Sequence, residues 1–177
     1  MGKSQINLLI NKYDDLFSSF DAREYDAKSI SDDFLNQCRK ACLDKKAGDI
    51  ELLIMVNDKI RSRVTEEIIK KRLKGHFSKH YSMIKSDRAR IIRKSLIFIT
   101  LGLIFSVLTT LTHYYMDEPK SLVTSMILII LEPASWFFLW EGLSILLFEP
   151  SKIKSELEFY NKMSNADILF ESHNILL

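Results

Sequence analysis

From Ser95 to Met116 the chain carries no Asp, Glu, Lys or Arg. As a helix these 22 residues extend about 33 Å, enough to cross a hydrocarbon core of about 30 Å. A second apolar run opens at Ser121, after the link Met-Asp-Glu-Pro-Lys in which Pro119 favours a turn. So short a link allows two spanning helices one arrangement, an antiparallel hairpin. The predicted fold is a two-span membrane α-helical hairpin over residues 95–148. A small cytoplasmic α+β domain is built from both flanks, residues 1–94 and 149–177.

Basic residues near the membrane ends predict the orientation. Lys85, Arg88, Arg90, Arg93 and Lys94 precede the first span, and Lys152 and Lys154 follow the second. The link has Lys120 alone, against Asp117 and Glu118. Both termini are therefore expected in the cytoplasm and the link outside, as in a multi-pass protein of a cell inner membrane. The opening MGKSQINLLI lacks the form of a signal peptide. It also has Ile6 where the myristoylation pattern needs Ser or Thr. Membrane attachment is thus expected from the internal runs.

The flanks read as folded. Residues 29–49 begin with capping serines, Ser29 and Ser31, carry acids early and lysines late, and reach Gly48 as a stop, which predicts a helix. Ile50, Leu52, Ile54 and Val56 alternate as on a strand. A helix capped at Thr65, with the stripe Ile69, Leu73, Phe77 and Ile84, heads for the membrane, and Ser86 and Asp87 are places where it could restart. Residues 151–163 read as helix and 166–172 as strand. Residues 4–13 fit either type, and strand is preferred. The strand near Ile168–Phe170 is expected to pair with Ile50–Val56.

The second run holds two carboxylates, Glu132 and Glu141. Leu122–Phe148 contains 15 Leu, Ile, Val or Phe residues, worth about −7 kcal/mol on an insertion scale. A central acid costs roughly 2.5–3.5 kcal/mol on that scale, so two would nearly cancel the gain. Ser121–Trp140 is already a full span, which places Trp136 and Trp140 near the cytoplasmic interface and Glu141 among headgroups. Residues 142–148 would then run along the interface or dock on the soluble domain.

Glu132 has no such exit. It precedes Pro133, which leaves the Ile129 carbonyl without its helical partner. Folding the hairpin about its link sets Glu132 level with Ile104, near Gly102, which lets helices approach, and Ser106, a hydrogen-bonding hydroxyl. His113, near the outer end, is expected to lie out of reach. Two readings stay open. Glu132 is a protonated structural contact, or it belongs to an acid ring or a proton or cation path in an oligomer.

Cys38 and Cys42 share a helical face, as do His76 and His80, which makes a zinc site conceivable. However, Phe34, Cys38, Ala41 and Cys42 already form an apolar face, so core packing is the preferred reading and no metal is expected. The membrane-proximal residues Lys85, Arg88, Arg90, Arg93 and Lys94 suit anionic lipid. With a net charge of +2, no Gly-rich phosphate loop and no nucleophile elbow, neither nucleic acid nor an enzyme activity is indicated, and no cofactor is expected.

The segments EPASWFFLWEGLSILLFE, ELEFYNKMSNADILF, YDDLFSSFDAR, ISDDFL and EEIIKKRLKGHF resemble an uncharacterised family of small bacterial two-span membrane proteins. The resemblance implies this architecture and a bacterial origin, and carries no activity, ligand or catalytic residue. The expected role is non-enzymatic. A cytoplasmic domain binds an unidentified protein or small ligand, and a hairpin anchors and oligomerises it. The alternative is an oligomeric ion-conducting or membrane-disrupting effector with Glu132 at its axis.

Overall fold

The computed structural model describes residues 4–43, 50–115 and 121–173. The chain forms two compact units, Met1–Met83 with Glu156–Leu177, and Ile84–Ser155.

The first unit is built on a three-stranded sheet of order β1-β2-β3, with β1 Ser4–Ile10, β2 Ile50–Val56 and β3 Asp167–Ser172. Both pairings are parallel. The register aligns Ile6, Leu52 and Ile168 in one row and Leu8, Ile54 and Phe170 in the next. These rows face three helical segments, α1 (Asp32–Leu43), the start of α2 (Arg63–Tyr115) and α4 (Lys154–Asn165). Right-handed crossovers that step in one direction across a sheet place their helices on one face. The contacts agree: Cys42 Sγ meets Met163 Sδ at 3.7 Å, and Phe77 packs edge-on against Phe159. Ile69, Leu73 and Phe77 are completely buried in this layer.

The expected strands and helices of the flanks are present, including the strand at residues 4–10. Two local readings change. The cap of α2 is Ser62, whose carbonyl accepts from Glu66 N at 2.9 Å and whose hydroxyl bonds Thr65 Oγ1 at 3.0 Å, so Thr65 lies inside the first turn. Ser86 and Asp87 do not interrupt α2. The first compact unit includes α2 as far as Met83, and residues 85–90 beyond it are exposed. Gly48 and the link 116–120 lie outside the described residues.

β3 contributes Ile168 and Phe170 to the core and bonds β2 along its length. Deleting residues after Met163 removes both, at roughly 1.5–3 kcal/mol for each side chain. Amide exchange across Ile50–Val56 should then accelerate by at least about tenfold, since each 1.4 kcal/mol is a factor of ten. Unchanged exchange there would show that the tail is independent of the sheet.

In the second unit, α2 pairs with α3 (Leu122–Lys152) as a helical hairpin. Both helices are long and apolar enough to cross a membrane. Helix α3 continues through Pro133 and Pro150.

Candidate functional site

The hairpin is joined along a seam of mostly small residues. On α2 the buried positions Ser95, Gly102 and Thr109 recur every seventh residue, and on α3 so do Leu128, Ser135 and Gly142. A seven-residue repeat keeps one stripe facing a partner helix. Ser95 Oγ donates to the Gly142 carbonyl at 2.7 Å. A Cβ added at Gly142 would lie 2.8 Å from Ile99 N, and one at Gly102 would lie 2.8 Å from Leu139 N. The backbones meet where the glycines permit it, as small residues do in membrane pairs. Gly142 therefore packs within the hairpin, and residues 142–148 continue α3 without a break. Gly102 takes the close-approach role expected of it, but opposite Ser135 and Leu139.

Four threonine hydroxyls of α2 are satisfied within the helix. Thr100, Thr110 and Thr112 each donate to the carbonyl four residues earlier, at 2.8 Å, and Thr109 donates to the Phe105 and Ser106 carbonyls. Glu132 is different. Its Oε1 lies 2.7 Å from His113 Nε2, with the two side chains 54% and 50% exposed. The expectation that His113 lies out of reach is therefore wrong, and Glu132 meets it rather than Ser106. Their α-carbons are on the order of 10 Å apart along the axis at 1.5 Å per residue. Helical side chains lean toward their own N-terminus. In an antiparallel pair His113 leans down α2 while Glu132 leans up α3, and the gap closes.

Ser106 is half-buried on the same flank, with its carbonyl taken by Thr109 and Thr110. Glu141 is half-buried next to Gly142, so it lies level with Ser95, the first residue of the uncharged run. Lys85, Arg88, Arg90, Arg93 and Lys94 are all exposed. Arg90 pairs with Asp87 at 3.4 Å, and Lys94 Nζ lies 5.8 Å from the Phe98 ring centre. Pro133, Trp136, Phe137 and Trp140 line an apolar concavity of about 340 Å³ on the surface of α3.

The first unit holds a polar cluster that sequence reasoning missed. The parallel strands end together, and there Arg61 grips the buried Glu66 with two nitrogens, both at 2.9 Å. Tyr13 donates to Glu66 Oε1 at 3.0 Å and accepts from Ser62 N. Arg61 also reaches Ser172 Oγ at 2.9 Å and the Phe170 carbonyl at 3.2 Å. The Arg61 hydrogen bonds hold the Glu66 carboxyl below the usual glutamate range, and burial opposes them. The only linear signal was an acid in the first turn of α2, which reads equally well as a helix-dipole contact. Carboxyl ends of parallel strands are where ligands bind in open sheets, but here the groups satisfy one another.

The two cysteines and two histidines do not converge. Cys38 and Cys42 are buried, and burial raises both thiols above their ordinary range. His76 and His80 contact each other with ring centres 4.2 Å apart, and His80 stacks on Tyr160 at 5.2 Å. Burial, with His80 beside it, pushes His76 down to about 4. Among the described residues no three His, Cys, Asp or Glu side chains are grouped to hold a metal. No protein family, curated protein or solved structure matches the chain.

Proposed function

We propose that the protein is a non-enzymatic integral protein of a bacterial inner membrane. In it the α2–α3 hairpin crosses the bilayer, anchors a cytoplasmic binding unit and joins copies into an oligomer. The observation that carries this reading is the half-exposed Glu132–His113 contact. Glu132 lies about 15 Å from the start of α3 at 1.5 Å per residue, near the middle of a bilayer. A polar pair at that depth faces protein or water rather than lipid. A single hairpin leaves it half uncovered, so neighbouring copies supply the cover. The exposed Lys85, Arg88, Arg90, Arg93 and Lys94 then meet anionic headgroups, each at about 1 kcal/mol near the surface.

This orientation puts both termini in the cytoplasm. A cysteine at position 120 should react with an impermeant thiol reagent added outside, and cysteines at the two ends should not. Reaction of a C-terminal cysteine from outside would overturn the hairpin topology.

The same contact favours a second reading, oligomeric conduction of protons or cations. Glu132 at mid-depth with His113 closer to the outer end forms a stepped pair of titratable groups, as proton paths use. Glutamine keeps the hydrogen-bonding shape of Glu132 but cannot ionise. In liposomes, Glu132→Gln should leave assembly intact under either reading and abolish ion flux only if the oligomer conducts. Glu132→Leu should weaken assembly by about 1 kcal/mol per subunit contact. Glu141→Gln should be mild, because an acid at the interface is already hydrated. Assembly unchanged by Glu132→Leu would remove this residue from the oligomer contact.

A further inference from the structure

We propose that Cys38, Cys42 and Met163 form a three-sulfur site for a soft monovalent cation, copper(I). The Cys42 thiol donates toward Met163 Sδ at 3.7 Å, where α1 packs on α4. Cys38 stands one turn before Cys42 on the same face of α1. Burial, and after it the neighbouring Cys42, raise the Cys38 thiol above its ordinary range. Cys38 and Met163 are completely buried and Cys42 is 4% exposed, so water does not compete for these sulfurs. Along the chain the cysteines invite pairing only with His76 and His80. Met163, 121 residues beyond Cys42, enters their neighbourhood when α4 closes on α1.

Thiolate and thioether sulfurs are soft ligands and select copper(I). Metal–sulfur bonds of about 2.3 Å hold the three sulfurs of a planar site about 4 Å apart, so Cys42 and Met163 need to separate only slightly. The cation takes the place of the thiol proton between them. The thiolate is the ligand, so binding releases both thiol protons to solvent. Two thiolates and one copper(I) leave a single negative charge. The Lys162 ammonium is near enough to favour the Cys42 thiolate, against a larger opposing effect of burial. Zinc fits poorly, because it takes four ligands from Cys, His, Asp and Glu. Among the described residues no His, Asp or Glu joins the two cysteines in a group of three. Entry is through the end of α1. Cys42 is its last residue but one, and helix ends open more readily than helix centres.

The test uses the full chain in neutral detergent, reduced and free of oxygen, with copper(I) supplied as its bicinchoninate complex. The chain should take one copper(I) per molecule from the dye. X-ray absorption should then show sulfur neighbours alone, at about 2.3 Å. Met163→Leu nearly conserves volume and should keep the fold. It should weaken binding by about tenfold or more, at least what removal of an outer-shell partner costs. Cys38→Ala and Cys42→Ala should each abolish competition with the dye. Amide exchange without metal checks that each variant is folded, and copper(I) should slow exchange in both α1 and α4 of the parent. Unchanged affinity in a folded Met163→Leu would overturn the site, since two thiols alone would then suffice. Nitrogen or oxygen neighbours at the metal would overturn it by placing the copper elsewhere. Faster exchange in α1 and α4 on binding would overturn it too, by showing that the thiols are reached only through unfolding. Failure of the parent to take copper(I) from the dye would assign the three sulfurs to core packing and end the proposal.

Discussion

Arg61→Met should lower the stability of the sheet-containing unit by about 3–5 kcal/mol, the cost of stranding a buried charge. Glu66 is 4% exposed and, without Arg61, would keep one hydrogen bond from Tyr13. Glu66→Gln should cost less, about 1–2 kcal/mol. The amide can still accept from Tyr13, and the Arg61 side chain, 28% exposed, keeps access to water. Amide exchange in β2 and β3 measures both, and a larger loss in Glu66→Gln would show that the arginine, not the acid, is the costly group to strand. The pH dependence has a definite sign. Glu66 titrates lower in the folded protein than its ordinary value of 4.5. Its contribution is therefore complete above pH 4.5 and is lost as the pH falls through the depressed folded value. Glu66→Gln should remove that part of the acid limb. His76 acts at higher pH. Its folded value near 4 lies below the ordinary 6.5, so acidification from 6.5 toward 4 destabilises the fold by charging a group that burial keeps neutral.

The second large effect is expected at the hairpin seam. Gly142→Ala would place a Cβ 2.6 Å from Ile99 Cγ1, 2.8 Å from Ile99 N and 3.1 Å from Ser95 O. Gly102→Ala meets Leu139 and the Ser135 carbonyl just as closely. The Ile99 side chain can turn away, but the backbone atoms cannot. Each change should therefore force the helices apart at a cost of about 1–3 kcal/mol, and leucine at either position should cost more. Gly75 is the control from the same helix. A Cβ there meets nothing within 4 Å, so Gly75→Ala should stabilise α2 by about 0.5–1 kcal/mol through helix propensity. Disulfide crosslinking between cysteines placed at Thr109 and Leu128 reports the helix separation. Crosslinking that survives Gly142→Leu and Gly102→Leu unchanged would mean that the seam is not the contact holding the pair.

Much of the architecture is legible along the chain, because it follows from patterns of short range. An uncharged stretch beginning at Ser95, a brief polar link and a second apolar run determine two long helices in a hairpin, whatever surrounds them. Alternation through Ile50, Leu52, Ile54 and Val56 determines a strand, since one face of it has to be buried. Even Leu53 and Met55 on the other face of β2 fit a parallel strand, whose sequence reads as a nearly continuous apolar run, although the expected α+β label did not use that signal.

Contacts between distant segments could not be read this way. Counting residues from the link sets Glu132 near Ser106 and leaves His113 too far away. Which side chain it meets depends on the lean of each side chain along its own helix, and that lean has opposite directions in antiparallel partners. The Arg61–Glu66–Tyr13 cluster needs the carboxyl ends of β1 and β3 beside the start of α2, a neighbourhood that exists only after both crossovers have closed. Ser95 and Gly142 likewise look like ordinary small residues until the seven-residue repeats of two helices are set against each other. Periodicity records which face of an element is buried. What that face touches is decided by packing between elements far apart in the chain, where a shift of a single turn changes every partner.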